Sequence, residues 1–81
     1  MVKVEVVCFG ALRTYLPEQA TDNRAALELP DASRVSDVVK VLGVPDRLVF
    51  ALLVDGERAT PDVELLDGVE VTLMPPFSGG A

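Results

Sequence analysis

Histidine is absent from this 81-residue chain, which removes the commonest general base and the commonest metal ligand at neutral pH. Cysteine occurs once, as Cys8, so the chain cannot close an internal disulfide or build a cysteine zinc site or iron–sulfur cluster by itself. On a strand, where the flanking pattern puts it, a buried free cysteine behaves as a small apolar residue. No apolar run approaches the roughly 20 residues of a membrane-spanning helix. Lys3 and Glu5 break the N-terminal apolar stretch, unlike a signal peptide. A cytoplasmic protein that binds no metal of its own is the expectation. Basic residues are also few, 7 against 13 acidic ones, giving a net charge of −6. Phosphate backbones repel such a surface, which argues against nucleic acid. A protein partner with a basic face suits it better, although the same charge also serves solubility.

Apolar residues, by contrast, make up 49% of the chain and charged residues 25%, the balance of a globular protein. There is room for one domain. A chain of this size buries about 60% of its unfolded surface, enough for a rigid scaffold with no deep cavity. Val2–Phe9 alternates apolar and charged residues and then turns fully apolar, the pattern of a strand whose burial increases along its length. Gly10 ends it. Residues 11–23 read as a loop with one helical turn near Leu12. Arg24–Leu29 alternates again, with Ala25, Leu27 and Leu29 on one face, and Pro30 closes it. The two strands suit an antiparallel hairpin with a long connection.

Ser33–Leu42 is the one clear helix. Val35, Val38, Val39 and Leu42 fall at i, i+3, i+4 and i+7 and form one apolar stripe. Asp31 or Ser33 is placed to cap its start, Gly43 to end it in the left-handed conformation, and Pro45 forbids continuation. Valine gives the helix weak intrinsic propensity, so packing onto a sheet must hold it. Leu48–Val54 is nearly all apolar and suits a central strand. Asp55-Gly56 signals a tight turn into a short strand, Glu57–Ala59. Thr60-Pro61-Asp62 makes a further turn. Asp67-Gly68 introduces a last alternating strand, Val69–Met74. One helix across one face of a mixed sheet of about five strands, an α+β roll, is the economical packing. Asp55 and Asp67 are the candidate catalytic carboxylates of an independent enzyme, but beside turn glycines a structural role explains them.

After Met74 the sequence changes character to Pro75-Pro76-Phe77-Ser78-Gly79-Gly80-Ala81. Two prolines cannot extend a strand through its interior and favour an extended exit. Gly79 and Gly80 have the greatest backbone freedom. The expected organisation is a domain over 1–74 and a flexible tail over 75–81.

This pattern resembles the MoaD/ThiS family of sulfur carriers over nearly its whole length. The resemblance rests on the first strand ending near Phe9, Arg13 after it, the valine-rich helix and the strand ending Val54-Asp55. Most weight falls on Leu65-Leu66-Asp67-Gly68-Val69-Glu70-Val71 and Pro75-Pro76-Phe77-Ser78-Gly79-Gly80. The Pro-Pro pair favours the molybdopterin synthase small-subunit branch over the thiamin carriers. The resemblance implies a ubiquitin-like β-grasp fold and a non-catalytic carrier subunit. In the family a ubiquitin-activating-like adenylyltransferase uses ATP to adenylate the terminal glycine, which becomes a thiocarboxylate. In the molybdopterin branch the large synthase subunit takes that sulfur for the dithiolene of molybdenum cofactor. Carried onto this chain, Gly80 is the reacting position, and Pro75, Pro76, Phe77, Ser78 and Gly79 are the tail that enters a partner. An apolar sheet face near the tail is the implied docking surface.

The residues make physical sense of that role. A carboxylate is a poor electrophile and needs activation before sulfur can be placed on it. Two glycines pass a narrow channel without side-chain clash. Ordering each residue costs roughly 1–2 kcal/mol, and the two prolines lower that cost by restricting the unbound tail. Phe77 suits an apolar pocket on a partner or, equally, a fold back onto its own sheet. Ala81 departs from the family pattern, because the free carboxylate then belongs to Ala81. Removal by a peptidase, an added residue and loss of the carrier function all explain it. The other readings are a carrier for thiamin or another metabolite, a β-grasp interaction module with an idle tail, and a modifier joined to lysines through its glycine end.

Overall fold

The computed structural model describes residues Met1–Pro76. Five strands form one sheet: β1 (Val2–Cys8), β2 (Arg24–Leu29), β3 (Ala51–Val54), β4 (Glu57–Ala59) and β5 (Glu70–Met74). A single α-helix, α1 (Val35–Leu42), and two 3₁₀ segments, Gly10–Tyr15 and Asp46–Leu48, complete the described elements. The strand order is β2-β1-β5-β3-β4. Only β1 and β5 run parallel; the other three pairings are antiparallel. This mixed sheet with one helix is the β-grasp arrangement expected from the sequence.

Period-two alternation sets the register. Val4, Val6 and Cys8 of β1 and Val71 and Leu73 of β5 turn to one face and are almost fully buried. Val35, Val38 and Val39 of α1 come down on that face. Leu12 of the first 3₁₀ segment, Leu65 and Val69 also join this core. Cys8 lies on β1 with no solvent exposure, as its strand position requires.

Two expectations need correction. The helix starts at Val35, not Ser33, and neither Asp31 nor Ser33 caps it. Ser33 Oγ instead donates to the Pro30 carbonyl at 2.7 Å. The N-cap is Arg34, whose N–H donates to Asp37 Oδ2 at 2.8 Å. Val35 N–H donates to the Val63 carbonyl at 3.0 Å and Ser36 N–H to that of Pro61 at 2.8 Å. The unpaired donors of a helix start must find acceptors, and here the segment after β4 supplies them. At the other end Gly43 takes the left-handed conformation (φ 77°) as its position predicts.

The second correction concerns the apolar run 48–54. Its first part folds as the 3₁₀ segment Asp46–Leu48, and β3 begins only at Ala51. Phe50 breaks the buried run and stands 66% exposed. The strand itself is interior, as expected: β3 lies between the middle strand β5 and the short edge strand β4. The helical turn expected near Leu12 is a six-residue 3₁₀ segment.

Candidate functional site

The end of β5 and the sheet face away from α1 form the candidate site. β5 hands the chain out between two supports. Phe9 N–H donates to the Leu73 carbonyl at 3.2 Å, and Phe50 N–H to that of Met74 at 2.8 Å. Beyond them Pro75 and Pro76 line a small apolar groove of about 180 Å³ together with Ala11, Leu12 and Leu48. The two 3₁₀ segments therefore flank the root of the tail. Proline has no N–H to offer a neighbouring strand, so the ladder stops here by composition. Of the expected tail, Pro75 and Pro76 are in place at the sheet end. Phe77, Ser78, Gly79 and Gly80 lie outside the described residues.

On the open face the pairings Val7↔Arg24, Val7↔Thr72, Leu53↔Thr72 and Leu53↔Arg58 set one row across all five strands. Its centre is apolar in character: Val7 is buried, Thr72 is buried beside it, and Leu53 is partly covered. The next row toward the tail pairs Met74 with Ala51. Phe9 (42% exposed) and Phe50 flank this end. The opposite end is charged. Arg24 pairs with Glu5, and with Glu70 at 3.5 Å, all three about half exposed. At that exposure the pairs contribute little to stability, but they place one cation and two carboxylates beside an apolar strip. The expected docking face thus has an apolar end at the tail and a charged end away from it.

Asp55 and Asp67, the candidate carboxylates of an independent enzyme, are both engaged in turns. Asp67 Oδ1 accepts the Lys3 N–H at 2.7 Å and Asp55 Oδ1 accepts the Glu70 N–H at 2.9 Å. Each ties a turn to a strand, which accounts for the Asp-Gly signals structurally. Cys8 is no nucleophile: burial pushes its thiol up to about 11, leaving almost no thiolate at neutral pH. Among the described residues no group of three or more Cys, Asp or Glu side chains is placed to hold a metal ion.

The sequence motifs did not point to Phe50 beside this face or to Arg24 on it. Arg24 had a signal, because it begins an alternating strand opposite Ala25. Phe50 had none, since it sits inside an apolar run whose alternation slips where the 3₁₀ segment joins β3.

A β-grasp domain with a proline-led tail at the end of its middle strand defines a ubiquitin-like protein. The family model described as Mut7-C ubiquitin matches residues 1–79, and the chain belongs to that family. No curated protein matches it in sequence. Among solved structures it is similar to a Pyrococcus furiosus protein described as molybdopterin converting factor, subunit 1. The two share 25% identity and a TM-score of 0.72 over 95% of this chain and 100% of that one. It is also similar to small archaeal modifier protein 1 of Haloferax volcanii, at 19% identity and a TM-score of 0.75 over 95% and 100% of the two chains. A third similar structure is a complex of subunits 1 and 2 of molybdopterin-converting factor from Helicobacter pylori. There the identity is 21% and the TM-score 0.62, covering 98% of this chain and 100% of that one. The resemblance to MoaD-type proteins read from the sequence agrees with these matches. Among the described residues no helix is long and apolar enough to cross a membrane.

Proposed function

We propose that this protein is a cytoplasmic sulfur carrier of molybdenum cofactor biosynthesis, acting through Gly80 once Ala81 has been removed. The observation that carries the reading is the placement of Pro75-Pro76 at the end of β5, immediately ahead of Phe77-Ser78-Gly79-Gly80. The chain leaves the middle strand of the sheet with no ladder left to join, and its last residues are those that fit a narrow channel. The likeness to the Pyrococcus furiosus molybdopterin converting factor subunit supports the pterin branch.

On this reading the carrier is a substrate rather than a catalyst. A ubiquitin-activating-like adenylyltransferase joins the Gly80 carboxylate to AMP from ATP and releases pyrophosphate. Hydrosulfide, HS⁻, or its protein-bound equivalent then attacks the acyl carbon, displaces AMP and leaves the thiocarboxylate. That terminus supplies sulfur for the dithiolene in the active site of a large synthase subunit. The carrier itself binds no cofactor, and the ATP belongs to its activating partner. Both partners dock on the open face, with Phe9, Phe50 and Met74 meeting apolar surface and the net negative charge drawing a basic rim. Phe77 anchors the tail on the partner.

Ala81 favours one second reading, an interaction module whose tail is idle. Protein ending at Gly80 and protein ending at Ala81 distinguish the two when each is incubated with ATP, sulfide and desalted extract of the native cell. The carrier reading predicts an ATP-dependent gain of one sulfur in place of oxygen on the Gly80 form, and none on the Ala81 form unless it is first trimmed. Binding of partners that survives deletion of residues 79–81, with no sulfur gained by either form, contradicts it. Linkage to lysines instead would mark a protein modifier.

A further inference from the structure

Gly10 sits where β1 gives way to the first 3₁₀ segment, with φ of +57°. Its carbonyl accepts a bond from Arg13 Nε at 3.3 Å, and the Leu12 N–H reaches back to the Phe9 carbonyl at 3.1 Å. The backbone at this point is therefore held from the downstream side. A Cβ added to Gly10 would stand 3.2 Å from Cγ of Pro75. That is tighter than ordinary contact, and the neighbour would have to give by a few tenths of an ångström. Pro75 has no rotatable side chain to swing aside; a change of ring pucker is its one local relief, and the displacement that pucker does not absorb passes into the backbone at the root of the tail. The other left-handed glycines, Gly43, Gly56 and Gly68, would meet nothing within 4 Å, so this contact is particular to Gly10.

We propose that Gly10 is a positioning residue: its missing side chain seats Pro75 against the first 3₁₀ segment and so sets the direction in which the tail leaves the sheet. Leu12 and Ala11 continue the same wall, and Leu48 faces them across the groove. Pro75 and Pro76 form a stiff lead, since two consecutive prolines hold an extended path. A small tilt at the root changes the direction in which the chain leaves Pro76. Arg13 assists by holding the Gly10 carbonyl. The consequence for function rests on the reading of the tail as the reacting end, whereas the seating of Pro75 does not.

Gly10→Ala and Gly43→Ala form the test pair, because both force alanine into the left-handed region and only the first meets Pro75. In protein ending at Gly80, both variants should lose similar stability in urea. Only Gly10→Ala should move the amide resonances of Phe77 and Ser78, and only it should slow extract-driven thiocarboxylation, by about fivefold to tenfold, the scale expected of a modest misplacement of a reacting group. On a Pro75→Ala background, which lacks Cγ and keeps the Gly10 backbone intact, adding Gly10→Ala should change that rate by less than about twofold, since the partner of the contact has gone. Equal rates and unmoved tail resonances in the two glycine variants overturn the proposal. If the unaltered protein gains no sulfur, the carrier reading fails, and the Phe77 and Ser78 resonances still decide whether Gly10 seats the tail.

Discussion

At the scale of single residues the sharpest consequence of burial falls on Cys8. It has no solvent exposure, and burial pushes its thiol from an ordinary value of 9.0 up to about 11. The unfolded chain therefore loses this proton at lower pH than the folded one. Folding stability contributed by the neutral thiol is complete below the unfolded value and declines between these two values. By linkage the loss approaches about 2–3 kcal/mol. Urea unfolding of the native protein and of Cys8→Ala, each at about pH 8 and about pH 11, checks it. The native protein should lose that much more than the variant across the interval, and equal slopes would contradict a buried titrating thiol. Burial of Cys8 was readable from the alternation of Val4, Val6 and Cys8. The structural roles of Asp55 and Asp67 were readable too, because each precedes a turn glycine. The seat of Pro75 on Gly10 was not, since the two are far apart in sequence and meet only because β1 and β5 run parallel and adjacent.

Elements show how far local signals reach. The valine stripe located α1 and Gly43 located its end, because both follow from helix geometry alone. The start lay outside local reading. Val35 and Ser36 give their N–H groups to Val63 and Pro61, residues brought there by the tertiary fold. The one local cap is Asp37, which accepts the Arg34 N–H. Asp37→Ala should therefore cost about 1 kcal/mol, the ordinary value of a helix N-terminal capping contact, measured by thermal or urea unfolding. A loss near zero would mean that the Val63 and Pro61 carbonyls alone hold the helix start. The apolar run 48–54 misled for a related reason. Hydropathy does not distinguish a half-buried turn from a strand when periodicity is hidden, so Leu48 and Val49 read as strand while they pack, partly buried, against the core ahead of β3.

The whole molecule combines a sheet that buries one face under α1 with an open face that ends at the tail. Order along the chain predicted the first feature, since one helix can cover only one side of the sheet. The apolar and charged ends of the open face emerge only from the strand order, which puts β1, β5 and β3 side by side. A carrier requires little more: a rigid body that partners grip, and an end that reaches past the grip into their active sites. The carrier proposal is directly testable, because it requires a form of the protein that ends at Gly80 and carries sulfur there. The most direct measurement is the intact mass of the protein isolated from its native cell under conditions that preserve acyl–sulfur bonds. The carrier account predicts a species lighter by one alanine in which one oxygen has been replaced by sulfur. A chain that always keeps Ala81 and never gains sulfur while cofactor synthesis is active would contradict it.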